Sequence, residues 1–197
     1  MKRTFNSIIL ISCFLLLDAY CFSSSSFAAN AKDRENDKLR YDADSQYLNL
    51  GVKEVLSGDM IRLENGEILR LIGVDTPEVT EGNKLQFDAK VSGIPIEVLK
   101  VMGNEAKCFI EKLIDGKKVR VEFDKKRNNN YGELLGYIFI SPDKHDEEEV
   151  FLNAEVIKSG YTYKIDTTPN GRYMSLFEKL HGYAKAQSSQ LWQQWRR

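Results

Sequence analysis

A chain of 197 residues with 42% hydrophobic content is long enough for one domain with a core of its own and a short N-terminal segment besides. With 28 basic against 29 acidic residues it lacks the basic excess of proteins that hold nucleic acid chiefly by phosphate attraction, but an enzyme needing only local positive charge remains open. Three cysteines and two distant histidines, His145 and His181, exclude a Cys/His metal centre, so any metal site must be built from oxygen.

The chain begins with a basic head, Lys2 and Arg3, followed by the apolar run Ile8–Leu17 and small residues ending at Ala28-Ala29-Asn30-Ala31. That pattern predicts a secretory signal peptide over residues 1–31, cleaved after Ala28 or Ala31, and hence a periplasmic or extracellular protein. The apolar run is shorter than the ~20 residues a bilayer needs, so no stable membrane span is expected after cleavage. Lipidation at Cys21 is a lesser alternative, disfavoured by the bulk of Tyr20. Losing Lys2, Arg3 and Asp18 takes the net charge from −1 to about −2, and Cys108 becomes the sole cysteine, expected on the buried face of a helix.

Residues 32–46 read as a charged tether, and residues 47–195 as the folded domain. Leu48, Leu50, Val52 and Val55 predict a first strand, Met60–Leu63 a second, and Ile68–Val74 a third after the Asn65-Gly66 hairpin signal. Residues 79–103 read as a long connection whose Lys84, Lys90 and Lys100 could line a substrate channel or serve solubility alone. Asn104 is expected to cap a helix carrying Ala106, Phe109, Ile110, Leu113 and Ile114, stopped by Gly116. Val119, Val121 and Phe123 predict a fourth strand and Leu134–Ile140 a fifth. Helices follow over residues 150–159 and 172–191, the latter with Met174, Phe177, Leu180, Ala184 and Leu191 along one stripe; the acidic run Asp146–Glu149 reads as a solvated turn. Five strands with a helix between the third and fourth is the order of an OB-fold barrel, an α+β class with a mainly β core and about three helices. No heptad or apolar strip points to an oligomer, and a monomer is expected.

The densest polar signal lies in the first three strands. Ser57-Gly58-Asp59 opens the second, Arg70 sits on the third, and Asp75-Thr76-Pro77-Glu78 follows its end. In an antiparallel meander the start of the second strand and the end of the third lie together, so Asp59 and Asp75 are expected to face each other. Paired carboxylates repel unless one is protonated or a cation sits between them, and oxygen donors suit a hard ion such as calcium. Arg70 could present a fork of donors to a phosphate, and Glu78 could take a proton from an attacking water. Each short motif alone is commonplace; together they describe phosphodiester hydrolysis.

Arg70-Leu-Ile-Gly-Val-Asp75-Thr76-Pro77-Glu78, with Gly58-Asp59 upstream, resembles the central motif of the staphylococcal nuclease (thermonuclease) family. The likeness continues through Val121-Glu-Phe-Asp124, Tyr131-Gly132, Leu152-Asn153 and on to Trp192. It implies an OB-fold nuclease acting on single-stranded or unpaired DNA and RNA with one calcium ion. Asp59, Asp75 and the Thr76 carbonyl would hold the ion, Glu78 would act as base, and Arg70 would grip the phosphate. The family's second catalytic arginine is replaced here by Glu133, implying either weakened activity or a domain that binds nucleic acid or a protein partner without cutting it. Lys126 and Arg127 could compensate from the preceding connection. The family's stacking tyrosines would fall near Ile165 and Thr167, which do not match; Tyr161 and Tyr163 are near enough to stack on a base, and the pattern fits core residues equally well.

Overall fold

The computed structural model describes residues 45–142, 148–165, 167–187, 189–190 and 192–193. The expected signal segment 1–31, most of the tether 32–46, His145, Asp146, Leu191 and Trp195 lie outside the described residues.

A single turn of 3-10 helix at Ser45–Tyr47 leads into β1 (Leu50–Ser57), β2 (Met60–Leu63) and β3 (Ile68–Leu71), an antiparallel meander. Two helices follow, α1 (Asn83–Ser92) and α2 (Ile96–Ile114), then β4 (Lys118–Glu122) and β5 (Leu134–Ile140). The two-residue β6 (Val150–Phe151) runs into α3 (Leu152–Lys158), and α4 (Met174–Ala186) comes last. β4 joins β1 and β5 antiparallel, and β5 returns to β3 in parallel through Leu69↔Leu134, Arg70↔Leu135 and Leu71↔Gly136. This pairing closes a five-stranded mixed barrel, to which β6 adds a short edge on β5. The OB-type barrel expected from the strand order is therefore present, with four helices in place of about three.

Period-2 patterning accounts for the barrel: Ile61, Leu63, Leu69, Leu71, Val119 and Val121 all face the core while their neighbours on each strand are partly exposed. Asn153 is buried at the barrel wall and tied on both sides. Its Oδ1 accepts from the Ile138 N–H (2.9 Å), and its Nδ2 donates to the carbonyls of Ile72 (2.9 Å) and Gly136 (3.3 Å). It thus fixes α3 across the β3–β5 seam, just where the chain leaves β3 toward Asp75.

Residues 79–103 are not one long connection. Gly82 and Gly93 bound the helix α1, Gly93 closing it at φ +72° with its N–H on the Ala89 carbonyl. α2 starts at Ile96 and not at Asn104, which lies inside the helix with its Nδ2 donating to the Lys100 carbonyl (2.8 Å). Counted from Ile96, the buried stripe is Leu99, Met102, Gly103, Ala106, Ile110 and Ile114; Cys108, two residues past Ala106, faces solvent and is no part of the core. Residues 150–151 are strand rather than helix, because the Phe151 ring stacks on Phe139 (centroids 4.5 Å apart) and pairs beside it in the sheet. Among the described residues no helix is long and apolar enough to cross a membrane.

Candidate active site

The turn between β1 and β2 carries Asp59, and its geometry depends on Gly58. A Cβ there would come within 2.5 Å of Ala106 Cβ and 2.8 Å of Thr76 Oγ1, so only glycine lets the turn pack against α2 and the segment after β3. Asp59 is 3% exposed. Its Oδ1 accepts from the Ser57 hydroxyl (2.6 Å) and its Oδ2 from Arg70 Nη1 (2.6 Å). Cross-strand pairing puts Arg70 opposite Met60, beside the turn, and the Leu71 N–H donates to the Asp59 carbonyl (2.9 Å). Burial pushes the Asp59 carboxyl above its ordinary value; Arg70 and Ser57 oppose the rise, and the charge of Asp75 adds to it.

Beyond β3, the Asp75 carbonyl accepts from the Tyr163 N–H (3.0 Å). The carbonyls of Pro77 and Glu78 rest on α2 at Gly103, where a Cβ would meet the Pro77 oxygen at 2.6 Å and the Glu78 oxygen at 2.9 Å. Gly103→Ala must displace backbone that cannot yield as a side chain does. It is expected to lower stability by about 1–3 kcal/mol, measured by urea denaturation, and to disturb the Glu78 segment at the same time. Burial raises the Glu78 carboxyl and the negative charge of Asp59 raises it further, while Lys84 and Arg70 pull it down. Asp59, Arg70, Asp75 and Glu78 therefore share one electrostatic neighbourhood.

Two charges add to this set. Glu133, immediately before β5, accepts from Arg70 Nε (3.3 Å) and from Asn129 Nδ2 (2.7 Å). Arg70 is thereby clasped between Asp59 and Glu133, with Nη2 against Met60 Sδ (3.4 Å). Lys84 reaches in from the first turn of α1. Its Nζ lies 3.1 Å from Asp75 Oδ1, 3.0 Å from the Thr76 carbonyl oxygen and 2.8 Å from Asp88 Oδ2. Asp88 escaped sequence reasoning, and Lys84 was only a possible channel residue. The four-residue Lys84–Asp88 spacing between two glycines was the available signal.

Asp59, Arg70 and Asp75 open onto a cleft of about 260 Å³ whose other wall includes Lys164, Thr167 and Asn170. Lys164 is a cleft lysine that sequence reasoning missed. Tyr163 sits beside the site, its ring 5.7 Å under the Lys84 ammonium. Tyr161 does not: it is 7% exposed and packs on Phe109, a core residue and not a stacking platform. Arg127 is also placed elsewhere, its guanidinium over the rings of Phe123 (4.1 Å) and Tyr47 (5.0 Å), where cation–π contact holds it.

Residues 68–194 match the family model described as staphylococcal nuclease homologue. The chain belongs to the staphylococcal nuclease homologues. An uncharacterised protein of Methanocaldococcus jannaschii is 32% identical over 167 residues, 77% of this chain and 79% of the relative. The thermonuclease of Staphylococcus intermedius is 29% identical over 145 residues, 72% of this chain and 74% of its own length. That of Staphylococcus hyicus is 28% identical over 144 residues, with 72% and 73% covered. The staphylococcal nuclease homologue model thus spans the barrel from β3 onward, and the relatives span most of the described domain.

Among the described residues of this staphylococcal nuclease homologue no three His, Cys, Asp or Glu side chains form a metal cage. The donors available are two carboxylates and a main-chain carbonyl, hard oxygens of the kind calcium prefers. A cation of the chain's own, the Lys84 ammonium, already rests on two of them. By donor chemistry and by this stand-in, the residues fit a divalent ion.

Proposed function

We propose that this protein is an exported, calcium-dependent nuclease that hydrolyses phosphodiester bonds in single-stranded or unpaired DNA and RNA. The observation that carries this reading is the meeting of Asp59, Arg70 and Asp75 on a cleft that also holds Lys164, with Glu78 close enough to feel the charges of all three. Asp59, Asp75 and the Thr76 carbonyl would hold the ion. Bound there, calcium would supply positive charge to balance the phosphate and to polarise it toward attack.

The chain's own groups perform the remaining work. Glu78, ionised, accepts a proton from the attacking water as its oxygen bonds to phosphorus. Arg70 donates to phosphoryl oxygens as their charge grows, while Asp59 keeps its guanidinium oriented. The bond from phosphorus to the leaving oxygen breaks, and that oxygen takes its proton from solvent. Tyr163 holds the Asp75 main chain in register through its N–H. Export rests on the basic head, apolar run and small-residue exit of residues 1–31, and cell fractionation would test it.

Glu133 favours a second reading, an attenuated domain that binds nucleic acid or a protein partner. The carboxylate stands on Arg70 where an incoming phosphate would need that donor. Purified protein incubated with labelled single-stranded DNA and RNA separates the two. The nuclease reading expects cleavage with calcium that stops on adding excess chelator. Intact substrate after incubation with folded protein and calcium would overturn it in favour of the second reading.

A further inference from the structure

We propose that the Lys84 ammonium is a resident cation of the active site, seated on donors that a divalent ion would use, and that calcium binds by displacing it. The inference rests on the proposed reading that Asp59, Asp75 and the Thr76 carbonyl hold the ion. Lys84 Nζ contacts Asp75 Oδ1 at 3.1 Å and the Thr76 carbonyl at 3.0 Å, so it occupies two of the three donors, while the third, Asp59, is engaged by the Ser57 hydroxyl and Arg70. The third contact, Asp88 Oδ2 at 2.8 Å, belongs to a residue one turn further along α1.

An ammonium and a dication cannot share Asp75 and the Thr76 carbonyl, because like charges a few ångströms apart repel strongly where water is partly excluded. The Lys84 side chain is 35% exposed and Asp88 is on its own helix, so the ammonium can leave Asp75 without becoming an unpaired charge. Asp88 is its retreat. Until calcium arrives, the ammonium offsets the mutual repulsion of Asp59, Asp75 and Glu78 and keeps the segment after β3 in place. Lys84 and Asp88 thereby raise the calcium concentration at which the site fills, and they belong to α1, a helix outside the barrel.

Isothermal titration of calcium chloride into the full-length protein without nucleic acid tests this by binding alone. Lys84→Met is expected to bind calcium on the order of tenfold more tightly than the unaltered chain, a gain of about 1.4 kcal/mol. Asp88→Asn removes the retreat, holds the ammonium on Asp75, and is expected to weaken binding. Circular dichroism confirms that each variant is folded, and Lys84→Gln replaces Lys84→Met should the latter fail to fold. A folded Lys84 variant that binds calcium no more tightly than the unaltered chain overturns the inference and leaves the proposed function standing. Absence of calcium binding in both folded proteins overturns the inference together with the metal reading beneath it.

Discussion

Glu78→Gln is expected to lower the cleavage rate by about 10²–10⁴-fold, the range over which a positioned general base acts, and to make the folded chain more stable at neutral pH. Both effects come from the same environment. Burial and the charge of Asp59 hold the Glu78 carboxyl above its ordinary value of 4.5 in the folded protein. Folding therefore favours the protonated form. The stabilising contribution is complete below 4.5 and disappears as pH rises through the raised value, so the ionised base that catalysis needs is the form the fold disfavours. Gln keeps the shape and removes the charge. Urea melts of both proteins at pH 7 and in acid check the sign: the variant should gain at pH 7, and the gain should vanish where Glu78 is protonated in both states. A rate within tenfold of the parent would sink the role of Glu78 as base.

Glu133→Arg is expected to raise the rate by about 10²–10³-fold, the converse of deleting one preorganised donor at a developing negative charge. In the present arrangement Arg70 has Nη1 on Asp59 and Nε on Glu133. A phosphate approaching Arg70 must displace Glu133 and meet its charge. The substitution removes that competitor and adds a donor fork immediately before β5, close to Arg70 through the β3–β5 pairing. Arg127, fixed over Phe123 and Tyr47, does not already fill the role. Glu133→Gln separates the two contributions: it lifts the repulsion without adding a cation and should give a smaller gain. Single-turnover cleavage assays on the three proteins measure both. A Glu133→Arg protein that folds and binds substrate but cleaves no faster would show that Glu133 is not what limits the site.

The barrel was legible because its code is local and repetitive. β2 and β3 alternate without interruption, Asn65-Gly66 marks the hairpin, and the Arg70–Glu78 stretch gathers the polar residues of the site at one strand end. α1 was not legible, because Leu85 is its one buried side chain among the described residues and leaves no apolar stripe to read. Without α1 in view the cap of α2 is expected at Asn104 instead of Pro95, nine residues late, yet the helical phase is unchanged: Cys108 lies two residues from both Ala106 and Ile110, about 200° round the helix from each, which puts it on the solvent face. The contacts of Lys84 with Asp75 and of Glu133 with Arg70 could not be read for a different reason. Both contacts join residues from separate elements, and Arg70 meets Glu133 across 63 positions of sequence.

The slender attachment of α1 gives the site a stability scale separate from that of the barrel. Leu85 anchors the helix while Phe87 and Val91 face solvent, so α1 can open locally with the barrel intact. Such an opening would carry Lys84 and Asp88 away together and leave Asp59 and Arg70 in the barrel. A melting curve would then report on the barrel and remain silent about the proposed calcium threshold, and substitutions on α1 could retune one without moving the other.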